Sequence, residues 1–396
     1  MANLLLTMGK ALLKHKLHLG ELTGLERFMV AAVTLADRAA TFLAATNIEP
    51  DMIDPKFDYV LLSQSVEANL ELFDLVRQRV QADVVAMPIW MGLMNMGPAD
   101  LGTVFKIEKR RVPYSVDYPI KKQEDIAKVQ IPEQPQGYLE MYFDIMKEVQ
   151  RRYPDSLCML SFDGPWDLAM LLRGDRDLPK DMRIHRDYAE AKDQAKRDKI
   201  RRFGNPDIYP AIMELTTRLA IRQIQLAAED GLSLMGSALV DQYASKPIMS
   251  REDYFKYVHP YRVRVWEAVG KKVNPGYLVP SPQEAEQNLQ DPMLAKAQGF
   301  TSYIFPQTPE GLTLPEYDRP MLELAKKYKQ SYAYFIHGKY LRDASEAQLE
   351  ATVQRICGLA KEVRANLMVT IASVPPGASV EKANYVFGLV EKYGRY

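Results

Sequence analysis

The sequence predicts an α/β protein that folds as a single (β/α)8 TIM barrel with an N-terminal helical extension and an inserted charged helix. Eight short apolar runs alternate with segments whose apolar residues recur at i, i+3, i+4 and i+7, the pattern of amphipathic helices. Such alternation indicates a parallel sheet with helices outside it. No linker rich in proline or serine divides the 396 residues, so one barrel fits better than two doubly wound domains.

The eight apolar runs mark the predicted strands, and helical patterns separate most of them. Clear helical patterns lie at 212–230, 251–272, 320–329 and 346–365. The predicted strands lie at 40–45, 83–88, 157–162, 232–240, 273–279, 301–305, 332–336 and 367–372. This spacing assigns one strand to each βα unit of the barrel.

Residues 1–25 are predicted to form the N-terminal helical extension, and the barrel occupies 26–396. The first 16 residues are apolar and basic, like a short signal segment, but Lys10 interrupts the run and no small-residue cleavage site follows. We therefore expect an amphipathic helix that covers the barrel or meets a partner subunit. Because this helix is rich in leucine, a homodimer is a further expectation.

The charged segment 180–205 interrupts the alternation of strands and helices. Basic residues outnumber acidic ones there, and the pattern predicts a solvated helix with i,i+4 pairs such as Asp193 with Arg197. Because the segment follows the turn at 163–166 closely, it is either a lid over the barrel mouth or an exposed helix without a role.

Composition restricts the classes of partner. Lys+Arg and Asp+Glu both number 51, so the net charge is zero, which argues against nucleic acid as a partner. Two distant cysteines are normal for a reducing cytosol and predict a cytoplasmic protein. No apolar run reaches transmembrane length, so no membrane partner is expected. A small molecule is the predicted ligand.

Three titratable residues follow predicted strands, where a barrel places its chemistry. Asp163 and Asp241 could bind a polar substrate group or transfer a proton, and His337 is the only histidine at a predicted strand end. These three are the candidate catalytic residues. The alternatives are a helix cap for Asp163 and a surface turn for Asp241.

Aromatic and methionine side chains near the same strand ends are candidates for an apolar substrate wall. Packing in the core is the alternative for Trp166 and for the methionine-rich cluster, since methionine fills irregular apolar space. The candidates are Trp166, Tyr243, Trp90, Met91 and Tyr334.

Several motifs together resemble the uroporphyrinogen decarboxylase superfamily, which contains that decarboxylase and methyltransferases that exchange methyl groups with corrinoid proteins. The resemblance runs from about residue 25 to the C-terminus. It implies a single TIM barrel with its site at the carboxyl ends of the strands. The motifs are Glu26-Arg27-Phe28 with Asp37-Arg38, Asp163-Gly164-Pro165-Trp166 with Arg173-Gly174, Ser250 with His259-Pro260-Tyr261, and Val374-Pro375-Pro376-Gly377.

The chain departs from the zinc-dependent members of the superfamily. Those methyltransferases hold zinc with a His-x-Cys pair on one strand and a cysteine on the last strand. Here the first place carries Asn274 to Tyr277 and the second carries Ser373, so no zinc ligand is present and no zinc is expected. Asn274 and Tyr277 become candidate substrate-binding residues through this resemblance.

The decarboxylase pattern is broken as well. The aspartate that gathers pyrrole N–H groups in the decarboxylase belongs after the strand at 83–88, where this chain continues with an apolar stretch. The histidine of the decarboxylase's Gly-His-Gly motif falls at Ser373. A substrate with many carboxylates needs a basic cleft, and the sequence shows none.

The resemblance therefore implies a zinc-independent methyltransferase acting between a small, largely apolar substrate and a corrinoid. The corrinoid-protein signature Asp-x-His-x-x-Gly is absent, so the methyl-corrinoid would arrive on a partner protein or bind free. One alternative is a decarboxylase or lyase acting on a small acid, with Arg173 or Lys246 as the carboxylate clamp. Another is a non-catalytic subunit that docks a corrinoid or redox partner.

Overall fold

The eight predicted strand positions all carry a parallel strand in the computed structural model. The structure describes residues 2–17, 20–31, 36–44, 48–86, 94–153, 159–234, 237–241, 244, 248–275, 281–296, 300–301, 313–371 and 373–396. The parallel strands are β1 Ala40–Ala44, β2 Val84–Ala86, β5 Ser161–Asp163, β6 Ala238–Val240, β7 Asn274–Pro275, β8 Phe300–Thr301, β9 Ser331–Ile336 and β10 Asn366–Ile371. One antiparallel hairpin, formed by β3 Val104–Glu108 and β4 Arg111–Asp117, is not predicted from the sequence.

The parallel strands form two sheets in two compact units. One sheet has the order β2-β1-β10-β9-β8 and belongs to the unit 1–91, 144–160 and 276–396. The other has the order β5-β6-β7 and belongs to the unit 92–143 and 161–275. Each order is that of successive strands around a (β/α)8 barrel. The parallel α/β architecture is confirmed, and closure of all eight strands into one barrel stays a prediction.

Helices follow most strands. The short ones are α3 Pro50–Ile53, α4 Tyr59–Leu62, α11 Arg251–Asp253 and α15 Gly338–Asp343, with 3₁₀ segments at Met94–Leu101, Gln123–Lys128 and Leu294–Lys296 and a π-helical segment at Tyr254–Val258. The longer ones are α1 Ala2–Lys16, α2 Gly24–Ala31, α5 Val66–Arg79, α6 Gly137–Arg152, α7 Pro165–Arg173, α8 Asp177–Ala189, α9 Gln194–Phe203, α10 Ile208–Glu229, α12 His259–Ala268, α13 Pro282–Leu289, α14 Pro315–Lys327, α16 Glu346–Val363 and α17 Val380–Tyr393. Within the described ranges, no helix is long and apolar enough to span a bilayer.

The predicted N-terminal extension is helical and contributes to the core. Ala11 of α1 is fully buried in one apolar cluster with Ala40, Ala333 and Met368 of the five-stranded sheet. Lys14 of α1 donates to the Glu26 carboxylate of α2 at 2.9 Å. This first helix therefore covers one face of that sheet.

The charged insertion contains two helices, α8 and α9, instead of one. Asp193 does not form the predicted i,i+4 pair with Arg197; its carboxylate accepts from the Lys196 amide at 2.8 Å and caps α9. Phe203, at the end of α9, is 76% exposed. A lid function of this segment stays a prediction.

A buried ionic network joins α2 to the start of β1 and β2. Asp83 accepts from Arg27 Nη1 at 2.6 Å and from Arg38 Nη2 at 2.9 Å. Its second oxygen accepts from the Thr41 amide at 2.8 Å, and Arg27 Nε also donates to Asp37 at 2.8 Å. The Glu26-Arg27 and Asp37-Arg38 motifs therefore hold together the amino-terminal edge of the five-stranded sheet.

Replacing Asp83 with asparagine should destabilise the protein by about 3 kcal/mol, because it removes the charge that two largely buried guanidinium groups share. Urea unfolding followed by circular dichroism measures the change. Glu71→Gln is the matched control: it breaks the exposed Lys56–Glu71 pair and should cost less than about 1 kcal/mol. Equal effects of the two substitutions would contradict the role given to Asp83.

Candidate functional site

The candidate site lies at the carboxyl ends of β5 and β6. The two strands are parallel, and their register places Asp163 beside Val240, so Asp241 follows directly. Phe162 and Leu239 are buried, whereas Ser161 and Asp163 are partly exposed. Since side chains alternate along a strand, Asp163 projects from the face of the sheet opposite to Phe162.

The turn at 163–166 is built around the Asp241 carboxylate. Gly164 donates its amide to the Val240 carbonyl at 2.6 Å, and Pro165 occupies the first turn of α7. The carboxylate of Asp241 accepts from the Asp167 amide at 2.9 Å. A Cβ on Gly164 would overlap that carboxylate, so this turn requires glycine.

Arg262 of α12 balances the charge of Asp241. Its Nε lies 3.0 Å from Asp241 Oδ2, and neither side chain is exposed to solvent. Its two other nitrogens donate to the Tyr254 hydroxyl at 2.6 Å and to the Leu239 carbonyl at 2.9 Å. Burial raises the pKa of Asp241 to about 6, against the opposing effects of Arg262 and the α7 amides. Asp241 is therefore paired with Arg262 and holds the start of α7, away from solvent.

Asp163 has a different environment, although it precedes the same turn. Its carboxyl group is partly exposed and makes no hydrogen bond with the described part of the chain. Burial, and after it the negative charge of Asp241, raises the pKa of Asp163 to about 7. Asp163 therefore keeps its proton to a higher pH than a free aspartate, which suits a general acid or base.

Asp163 lines a small cavity of about 20 Å³ at the edge of β5. The Tyr142 hydroxyl closes that edge, because it donates to the Ser161 carbonyl at 3.2 Å and accepts from the Ser161 amide at 2.8 Å. The cavity is lined by Gly97, Pro98, Tyr138, Leu139, Tyr142, Ser161, Phe162, Asp163 and Gln223. The site therefore combines a titratable carboxyl with a pocket of mixed polarity.

Trp166 is placed in the core and not on an accessible wall. Its side chain is fully buried, and its ring centroid lies 6.4 Å from that of Tyr209. A substrate contact of Trp166 stays a prediction. The packing alternative describes its environment.

His337 follows β9 in the other unit and is partly exposed. Burial lowers its pKa below the usual histidine range, so the ring is neutral at pH 7. The segments that follow β9 and β10 lie in close contact, because a Cβ on the adjacent Gly338 would overlap the Ser373 hydroxyl. His337 is thus placed at a strand end, as the sequence predicts.

Tyr334 faces the opposite side of β9. It is fully buried, Arg355 of α16 lies within 3.4 Å of its hydroxyl, and its ring packs edge-on against Tyr332. Alternation along β9 separates it from His337, so Tyr334 faces the helix layer, and a substrate contact of Tyr334 stays a prediction.

The remaining candidate residues lie outside the described part of the chain, are described only as backbone, or are already paired. Trp90, Met91, Tyr243 and Tyr277 lie outside the described residues, as does Lys246, and Asn274 is described only as backbone in β7. Arg173 is engaged: it pairs with Asp181 at 2.7 Å and donates to the Ile120 carbonyl at 3.1 Å. It is therefore not a free carboxylate clamp for a lyase.

Sequence reasoning missed Arg262, Tyr142 and Gln223. Arg262 directly follows the His259-Pro260-Tyr261 motif, yet nothing in the sequence distinguishes a buried arginine from an exposed one. No group of three His, Cys, Asp or Glu side chains in the described ranges could hold a metal ion.

Gly164→Ala should lower the free energy of unfolding by about 2 kcal/mol, because the added methyl group displaces Asp241 from the start of α7. Gly358→Ala is the control: it lies inside α16, where a Cβ meets nothing within 4 Å, and should stabilise the protein by about 0.5–1 kcal/mol. Thermal unfolding measures both. A neutral Gly164→Ala variant would refute the packing described for the turn.

Asp163→Asn should change the pH dependence of stability. The folded protein binds a proton at Asp163 up to about pH 7, whereas the group ordinarily loses it near 3.8, so this group lowers the free energy of unfolding as pH rises between those values. The variant should be close in stability to the unmodified protein near pH 4 and exceed it by roughly 4 kcal/mol at pH 8. Melting curves at both pH values test this, with Asp175→Asn as the exposed control. No gain at pH 8 would show that the Asp163 pKa is ordinary.

Comparison with known proteins gives a family and a fold. The family model for uroporphyrinogen decarboxylase (URO-D) matches residues 58–281, which is more than half of the chain. No curated protein matches the sequence.

Two solved structures can be compared with this one. A methyltransferase from Methanosarcina mazei has a TM-score of 0.67 at 12% identity, over 94% of this chain and 99% of that chain, which shows a similar fold. A D-allulose 3-epimerase from Methylomonas sp. has a TM-score of 0.41 at 11% identity, over 92% and 99% of the two chains, a value too low to bear on the fold. The family model covers more than half of the chain, and the strand-end site and the turn at 163–166 agree with it. The chain therefore belongs to the uroporphyrinogen decarboxylase family.

Proposed function

We propose that this protein is a methyltransferase that moves a methyl group between a small, largely apolar substrate and a corrinoid, without zinc. The observation that carries the proposal is Asp163: a carboxyl at a strand end, without a hydrogen-bond partner in the described residues, whose pKa burial raises to about 7. Family membership and the fold shared with the Methanosarcina mazei methyltransferase support it. Both also favour closure of the eight strands into one barrel.

Removal of a methyl group from an ether or ring compound leaves a heteroatom that needs a proton. Because the pKa of Asp163 is raised to about 7, this carboxyl group can donate a proton to the leaving heteroatom near neutral pH. When bound, a corrinoid supplies the cobalt that accepts or provides the methyl group. The chain itself then has to orient the substrate, exclude water and move one proton.

The residues present suit a reaction without zinc. Asn274 and Ser373 stand where the zinc-dependent members of the superfamily keep ligands, and neither an amide nor a hydroxyl is a usual zinc ligand. Asn274 can instead hydrogen-bond a neutral polar group of the substrate. Trp90, Met91, Tyr243 and Tyr277 complete the proposed substrate wall.

His337 is the second proposed proton carrier. It is neutral at pH 7 because burial lowers its pKa, so its ring can accept a proton. This suits the reverse direction of the reaction, in which a substrate oxygen or carbon must lose a proton before it is methylated. We further propose a cytoplasmic protein that meets its corrinoid on a partner protein or free in solution.

The test is methyl transfer from a panel of aryl methyl ethers and methylated ring compounds to cob(I)alamin, followed by the absorbance of methylcobalamin. At least one substrate should react, and the rate should fall as the pH rises through about 7, because the reaction needs protonated Asp163. Asp163→Asn should slow the transfer about 100-fold or more and remove this limb of the pH profile.

Asp175→Asn is the matched control, since Asp175 is an exposed carboxylate in the same unit and should leave the rate unchanged. The proposal fails if no substrate donates a methyl group while carbon dioxide is released from a small aromatic acid. Full activity of Asp163→Asn would remove Asp163 from the mechanism.

A further inference from the structure

We propose that the cavity beside β5 binds one water molecule, held by Asp163 and Gln223, which returns a proton to Asp163 in each catalytic cycle. The use of the proton rests on the proposed function. The water site itself rests only on the geometry of the cavity.

The cavity has the size of a water site. Its volume of about 20 Å³ exceeds the roughly 10–15 Å³ that one water requires. Pro98 and Leu139 supply apolar walls that limit the space. The Tyr142 hydroxyl is hydrogen-bonded to the backbone of Ser161, and this contact holds the side of the cavity next to β5 in place.

Gln223 presents an amide that the described chain does not satisfy. The residue is 7% exposed and extends from α10 into the cavity lining. A Cβ on Gly97 would lie 3.6 Å from its Nε2, so the amide packs against that glycine. No described group hydrogen-bonds the side chain. A water molecule in the cavity would give this amide a hydrogen-bond partner.

Asp163 and Ser161 complete the set of partners. Both line the cavity and, two residues apart on β5, project from the same face of the strand. Neither side chain has a hydrogen-bond partner in the described ranges. An amide, a carboxyl and a hydroxyl together match the two to four polar partners that buried waters have.

The proton balance is simple. Asp163 gives its proton to the leaving heteroatom and becomes a carboxylate. The water donates a proton to that carboxylate and takes one from bulk solvent, so one proton moves from solvent to product in each turnover. Gln223 acts as a positioning residue, because it holds the water and does not touch the substrate.

The experiment compares Gln223→Leu with Gln225→Leu by crystallography and by titration of the Asp163 carboxyl band in infrared difference spectra. Gln225 is a matched control, since it is an exposed glutamine on the same helix. In the unmodified protein a water should lie about 2.7–3.2 Å from both Asp163 and Gln223. Gln223→Leu should lose that water and raise the Asp163 pKa by about one unit, because the carboxylate loses solvation. Gln225→Leu should change neither, and Gln223→Glu should retain the water.

A cavity filled by a side chain, or an Asp163 pKa that Gln223→Leu leaves unchanged, would overturn the inference. These readouts do not require methyl transfer. If the water is found but Asp163→Asn transfers methyl groups at full rate, the site stands and the catalytic role of Asp163 fails.

Discussion

The candidate site depends on one contact: the Asp241 carboxylate sits where residue 164 would carry its side chain. Only glycine lets β6 approach the start of α7 closely enough for Asp241 to accept from the Asp167 amide. The carboxylate neutralises the partial positive charge of the α7 N-terminus, and Arg262 neutralises the carboxylate. Strand β5, strand β6 and helices α7 and α12 are thereby held in one arrangement.

This contact also sets the chemistry of its neighbour. Burial, and after it the negative charge of Asp241 directly following β6, makes a negative charge on Asp163 unfavourable, so Asp163 keeps its proton to a higher pH than a free aspartate would. The structure therefore separates two carboxyl groups that follow adjacent strands. One is paired with an arginine and inaccessible, and the other is protonatable and partly exposed. Pairs of titratable groups with diverging environments are a common basis of acid–base catalysis.

In the other unit, the buried ion pairs lie at the amino-terminal ends of the strands. Arg27 and Arg38 share Asp83 at the start of β1 and β2, where no strand-end chemistry is expected. The motifs that mark the family at the N-terminus are thus structural in this chain. His337 at the end of β9 shares its neighbourhood with Ser373, and both belong to the carboxyl-terminal edge at which a barrel places its ligands.

The sequence by itself determined the positions of the parallel strands, the parallel α/β class and the place of Asp163 and His337 after strands, because hydrophobic periodicity and strand order are local properties of the chain. It could not rank Asp163 against Asp241, since both are aspartates after an apolar run. Only the tertiary structure places Arg262 against one of them and a cavity against the other. It also shows that Trp166 is buried in the core and that Tyr334 faces the helix layer. Burial and ion pairing depend on residues distant in sequence, and these decide which side chains can reach a substrate.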